Sequence, residues 1–240
     1  MKIRLLSDLH LEFYDNASIY ATRGEDVLVL AGDVHAGIHK TTTALKKFHA
    51  QQKNIVYLPG NHEYYGTSIR EFDHAIGHVA RDCGINLLNP GMVKFGSVTF
   101  IGATLWTNFQ QNAVAQLACA TAINDFRYIK HFNTAACTAL YNDHVASIKA
   151  NIAATTGTKI VVTHFLPATE CIAPQYTGLD VVNCYFANDL GNYISTLKDT
   201  VWLFGHTHEP VDLMFGTTRL LANPYGYNHN AGYRECIFEA

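Results

Sequence analysis

The sequence has no run of lysine or arginine, no CxxC pair and no apolar stretch near the roughly 18 residues of a membrane-crossing helix. Each absence excludes something. With no basic run and a formal net charge of −3, the composition has little to hold a phosphate backbone, so nucleic acid is not the expected partner. Lys2 is followed by only a short apolar stretch before Asp8 and His10, too brief for the apolar region of a secretory leader. No membrane association is expected. The six cysteines are scattered, which predicts reduced, mostly buried thiols and a cytoplasmic setting. No repeat, low-complexity tract or linker interrupts the 240 residues, so residues 1–240 read as a single domain.

Charge is also sparse, at 15%, against 48% hydrophobic residues, which suits a compact globular enzyme and not a disordered chain. Three short apolar runs stop at polar residues: Lys2 to Ser7, Asp26 to Ala31 and Asn54 to Leu58. Helical rhythm fills Thr41 to Gln51, and Ile69, Phe72, Ile76 and Val79 predict a helix over 67–82 that Cys83-Gly84 ends. Strand, helix, strand implies parallel pairing with helices on the faces. Residues 92–96 and 98–102, broken by glycine, predict an antiparallel pair and make the sheet mixed. The stretch 104–132 has no period and predicts a loop or broken helices walling a pocket. Further helices are expected over 135–154 and 185–197, further strands over 159–163 and 200–204, and from 211 short strands alternating with glycines, including 217–222 and 236–238.

Thirteen histidines are many for this length, and several sit where strands end. The runs stop at Asp8-Leu9-His10, Gly32-Asp33, Gly60-Asn61-His62, His164 and Gly205-His206-Thr207-His208. Ligands of open α/β sheets gather beyond the carboxyl ends of strands, so these groups can converge from across the chain. Carboxylate oxygen mixed with imidazole nitrogen suits borderline divalent metals better than Ca²⁺ or Mg²⁺. The donors exceed the needs of one ion. Two ions about 3.5–4 Å apart, sharing a carboxylate, would use them, as in phosphatases and nucleases.

The ordered blocks DxH, GD, GNHE, a lone strand-end histidine and GHTH resemble the calcineurin-like metallophosphoesterases, from residue 8 to residue 208. Stretches such as ATLWTNF, INDFR, YFANDL and TRLLANPYGY are similar to those of small stand-alone bacterial and phage members. The resemblance implies a four-layer α/β/β/α sandwich of two mixed β-sheets flanked by helices. It implies that Asp8, His10 and His208 hold one metal, that Asn61, His164 and His206 hold a second, and that Asp33 bridges them. It further implies that His62 protonates the leaving oxygen or stabilises phosphoryl charge, while a metal-bridging hydroxide attacks phosphorus. The cofactor implied is a pair of divalent ions, Mn²⁺, Fe²⁺ or Zn²⁺, with Mn²⁺ favoured. Thr163 stands where many members carry glycine before the histidine, so the backbone there is expected to differ.

Other residues carry weaker expectations. Asp125 and Arg127 are candidates for contacting substrate phosphate, with a structural salt bridge as the alternative. His35 is a candidate neighbour of the site, and Asn223 and Tyr225 are candidate pocket residues. Trp106 and Phe109 are expected in the core. His39, His49, His74, His78, His131, His144 and His229 match no motif and read as surface or packing residues. The expected function is hydrolysis of a small phosphomonoester or phosphodiester, with the diester favoured and a nucleotide among the candidates. The competing readings are a DNA or RNA nuclease of the same family and a non-catalytic scaffold with the same fold. Loops 104–132 and 166–184, on which substrate choice depends, contain no pattern that names the substrate, and oligomeric state is open.

Overall fold

The computed structural model describes residues 1–14, 17–227 and 233–240; His229 lies outside the described residues. The chain runs through β1 (Lys2–Leu6), β2 (Val27–Ala31), α1 (Ile38–Gln51), β3 (Ile55–Leu58), α2 (Ile69–Cys83) and β4 (Asn86–Leu87). Next come β5 (Gly91–Phe95), β6 (Val98–Ala103), α3 (Ala113–Ala122), α4 (Asp125–Tyr128), α5 (Thr134–Ala154) and β7 (Thr158–Thr163). The last part holds α6 (Asp180–Phe186), α7 (Gly191–Ile194), β8 (Thr200–Phe204), β9 (Val211–Phe215), β10 (Thr218–Ala222) and β11 (Ile237–Glu239).

These strands form two mixed sheets. One has the order β11-β1-β2-β3-β4 and the other β5-β6-β7-β8-β10-β9. In both, the central strands are parallel and antiparallel strands sit at edges: β11 on β1, β5 on β6, and β9 on β10. The period of two along each strand separates the two faces. Val27, Val29 and Ala31 point into the layer between the sheets, where they meet Val56, Phe100, Val162 and Leu203. Leu28 and Leu30 point the other way, into the cluster that includes Leu45 and Phe48 of α1 and Phe72 and Ile76 of α2. Because both faces are covered, the central strands read as unbroken apolar runs. The result is an α/β fold of two mixed sheets flanked by helices, as the resemblance implied.

Helix α2 begins with a capping box, in which Ser68 Oγ accepts from Glu71 N–H and the Glu71 carboxylate accepts from Ser68 N–H. It ends on Gly84 at φ 70°, a left-handed cap. The expected single helix over 185–197 is instead two short helices, α6 and α7. Between them Ala187 is extended and bridges Leu166, and Asn188 Nδ2 bonds the carbonyls of Leu105, Trp106 and Leu166. Hydrogen bonds to a distant loop break a segment that its apolar rhythm alone would continue. Strand β4, only two residues long, has no pattern that predicts it, while β9 falls in the stretch from 211 where short strands are expected. Trp106 and Phe109 are fully buried, as expected of core residues.

Candidate metal centre and pocket

The five polar strand ends converge. Asp8, His10, Asp33 and His208 each offer a donor atom within 4.8 Å of the others, and so do Asp33, His164 and His206. Asp33 is common to both groups. Its Oδ2 lies 3.7 Å from His10 Nε2 on one side and 3.5 Å from His164 Nε2 on the other. The second group is extended by Asn61, whose Oδ1 is 3.1 Å from His164 Nε2.

The backbone bends sharply to achieve this. Asp8, His10, Asp33, His206 and His208 all have φ between 44° and 64°. Aspartate and histidine are among the few non-glycine residues that tolerate this left-handed region, and runs of such strain mark functional sites. The glycines of the motifs have a steric reason. A methyl on Gly60 would overlap the Asp33 carboxylate, and one on Gly32, at φ 87°, would overlap the His164 ring.

Each donor is oriented by a partner. His164 Nδ1–H donates to Ala31 O at 2.9 Å, which leaves Nε2 free to act as an acceptor or ligand. Asp33 Oδ1 accepts from His62 N–H at 2.9 Å, which turns Oδ2 toward the histidines. Asp8 accepts from His206 N–H at 2.9 and 3.1 Å. Asn61 Nδ2 donates to Asp125 Oδ1 at 3.0 Å, so the amide presents its oxygen to His164. Thr163, the departure from glycine, is buried, donating to Phe165 O and accepting from Trp202 Nε1–H. His164 keeps its place.

The electrostatics of the cluster call for positive charge. Burial works against ionised carboxylates, yet His208 holds Asp8 down at about 2, and the surrounding imidazoles hold Asp33 well below the carboxylate range. Burial likewise works against a charged imidazole, yet the Asp33 and Asp8 carboxylates raise His164 to about 10. One feature shows that protein partners alone do not satisfy the donors: His206 Nε2 is buried with no hydrogen-bond partner among the described residues. His10 Nε2 and His208 Nε2 pair at 3.1 Å, one donating and the other accepting. The donor set therefore fits borderline divalent cations.

His62 has partners other than those of Asn61. Its Nδ1 lies 3.0 Å from Glu12 Oε1 and its Nε2 lies 3.2 Å from the Tyr227 hydroxyl, while Tyr65 stacks on the ring at 4.5 Å. Burial alone would lower its pKa; the Asp33 and Glu12 charges raise it to about 9. Glu12 is a residue that sequence reasoning missed, although it stands two positions after His10, on which the same carboxylate oxygen also closes at 3.1 Å. Glu63, the last letter of GNHE, was also passed over. It is fully buried, and its carboxylate accepts from the N–H groups of Asp33, Val34 and Gly60 and from the Tyr57 hydroxyl. Two strand-end loops are thereby tied together.

Beside the donors opens a pocket of about 480 Å³. Asp33, Asn61, His62, His206 and His208 form one end, and residues from 122–125, 166–186 and Tyr227 form the rest. Both loops named above supply walls. Of the weaker candidates, Asp125 is at the pocket but is buried, accepting from Asn61, Tyr65 and Tyr185. Arg127 does not reach it, because its guanidinium turns back onto Thr121 O, and no Asp125–Arg127 salt bridge forms among the described residues. Asn223 and Tyr225 are corrected too: Asn223 Nδ2 bonds Leu5 O and Tyr225 N–H bonds Ser7 O, so both fasten β1 instead of lining the pocket. Tyr227, two residues on, lines it. His35 Nδ1 lies 3.8 Å from Glu12 Oε2, and the residue is not part of the pocket wall.

Comparison with known proteins agrees with this geometry. The family model for calcineurin-like phosphoesterases matches residues 1–210. An uncharacterised protein, L509, of Acanthamoeba polyphaga mimivirus is 27% identical over 270 aligned positions, covering 95% of this chain and 91% of that one. Among solved structures, a phosphopantetheinyl hydrolase from Mycobacterium tuberculosis superposes with TM-score 0.79 at 16% identity, covering 98% of this chain and 95% of that one. A putative 5′-nucleotidase from Staphylococcus aureus gives 0.52 at 11% identity, over 92% of this chain and 48% of that one. A dimetal phosphatase from Danio rerio gives 0.50 at 13% identity, over 92% and 86%. At these identities the structural likenesses speak for the fold. The matched family model, spanning most of the chain, makes it a member of the calcineurin-like phosphoesterase family.

Proposed function

We propose that the chain is a dinuclear metal-dependent phosphohydrolase of small phosphate esters, working as a single catalytic unit in the cytoplasm. The observation that carries this reading is the meeting of two donor groups on one carboxylate, Asp33, at the end of a pocket. Asp8, His10 and His208 would hold one ion, Asn61, His164 and His206 the other, and Asp33 both. When bound, such a pair supplies a Lewis acid and a water acidified enough to react near neutral pH. Mn²⁺ is the favoured ion, with Fe²⁺ and Zn²⁺ as the other candidates for the same donors.

The protein's own contribution is orientation and proton supply. Glu12 takes the Nδ1 side of His62, so Nε2 faces the pocket, where it protonates a leaving oxygen or steadies phosphoryl charge. Asp125 holds the Asn61 amide with its oxygen toward the second donor group. Diesters are favoured over monoesters because the pocket extends well past the donors and has room for a second organic group. A nuclease role has less support, since no lysine or arginine lines the pocket among the described residues.

The test is hydrolysis of bis(p-nitrophenyl) phosphate and p-nitrophenyl phosphate with Mn²⁺ supplied, for the native chain and Asp33→Asn. Faster cleavage of the diester, lost in the variant, is the expected outcome. Undiminished hydrolysis by Asp33→Asn, or metal-loaded protein inert toward a broad ester panel including nucleotide and phosphopantetheinyl esters, would overturn the reading.

A further inference from the structure

The walls of the pocket describe the part of the substrate that does not react, an inference that rests on the donors being a phosphoryl centre. We propose that the pocket takes an uncharged, largely apolar arm of a phosphate ester and rejects an arm that carries a second anion. Beyond Phe186, which stacks on the His206 ring, its surface is built from Ile123, Ile172, Leu179 and Val182, with the amides of Asn124 and Asn183 as neutral polar groups. Leu179 is 52% exposed and Tyr176 41%, large apolar surfaces left uncovered at the wall of a concave site. Such surfaces in a pocket are what an apolar ligand group covers.

The charge inventory points the same way. No lysine or arginine lines the pocket among the described residues, and residues 15–16 and 228–232 contain none in the sequence. Arg127, two residues beyond Asp125 in the wall, is held on Thr121 O. Apart from the donors and His62, the ionisable side chains present are Asp125 and tyrosines. A carboxylate or second phosphate on the arm would lose water without gaining a cation, beside a carboxylate already buried there. A neutral arm avoids that cost and gains by covering the apolar wall.

The experiment is calorimetric binding to the Mn²⁺-loaded full chain of methyl-, butyl- and octylphosphonate and of 7-carboxyheptylphosphonate, whose P–C bonds do not hydrolyse. Affinity is expected to rise roughly two- to fourfold per added methylene until the pocket is filled. The carboxylate-ended chain is expected to bind at least tenfold more weakly than octylphosphonate. In Val182→Arg that order should invert; Leu179→Arg, at a half-exposed position, serves as a second variant.

Affinity independent of chain length, or a carboxylate-ended chain bound as tightly as the alkyl one, would overturn the proposal in the native protein alone. An unchanged order in both variants would overturn the assignment to this wall. The two readings fail separately. Protein that shows the alkyl order yet hydrolyses no ester defeats the catalytic reading only, and protein that hydrolyses nitrophenyl esters with a flat alkyl series defeats this one only.

Discussion

Asp125 shows how one buried side chain governs several others. It accepts from Asn61 Nδ2, from the Tyr65 hydroxyl at 2.6 Å and from the Tyr185 hydroxyl, and it is 2% exposed. Asp125→Asn is expected to lower affinity at the second donor group by roughly 10- to 100-fold, the usual cost of losing a group that orients a ligand. Metal titration should change from two tight sites to one; two unchanged sites would show that Asn61 orients itself. His144 supports a prediction about pH. Its Nδ1 accepts from Leu105 N–H at 3.1 Å, and burial pushes it down to about 4 from the usual 6.5. The unfolded chain takes up the proton first as pH falls, so stability present above pH 6.5 is lost progressively down to about pH 4, by about 3 kcal/mol. Denaturant melts of the native chain and His144→Gln should diverge in slope across that window. At this scale the donors were legible because each one directly follows an apolar run. Glu12, Tyr227 and the hold of Asp125 on Asn61 were not, because their partners lie between 50 and 165 residues away for His62, and 64 residues away for Asn61.

Among the elements, the abrupt ends of strands determine the site more than the strands do. Left-handed turns at Asp8, Asp33 and His206 aim donors inward, and glycine before Asp33 and before Asn61 gives the room. Gly60→Ala is therefore expected to displace the Asp33 carboxylate and weaken metal binding at both groups together, which a competition titration against a chelator would read. Retained affinity at either group would show that the loop has slack. Helix α2 gives a simpler test. Ser68→Ala removes one side of its capping box and should cost about 1 kcal/mol, a fall in Tm of about 2–4 °C for a chain of this size. Metal stoichiometry should not change, since the cap lies outside the donor groups. The parallel strands, α1, α2 and the β5–β6 hairpin were readable because their periods are set by burial on known faces. The break between α6 and α7 was not, because it is made by bonds from Ala187 and Asn188 to the loop beginning at Leu166.

At the scale of the whole molecule, segments far apart in the chain meet in one sheet: β11 pairs with β1, and Arg4, fully buried, forms a two-pronged contact with Glu235 at 2.9 and 3.0 Å. Metal held by these donors would be coupled to folding, since groups drawn from residue 8 to residue 208 come together only when both sheets have formed. Mn²⁺ held at about 100 times its dissociation constant should add about 2.7 kcal/mol per site to the folded state, and a chelator should remove it. Melting that is indifferent to both would show that the donors do not bind ions in the native state. By itself the sequence determined the secondary structure of the core, the polar residues that end its strands and the chemistry those donors suit, because periodicity and residue type act locally. Only the tertiary structure decided which side chains orient the donors, and that the pocket has apolar walls and no cationic side chain among its described residues. Those properties depend on distances between segments far apart in the chain, and they are set when two sheets pack against each other and loops such as 122–125 and 166–186 close over their ends.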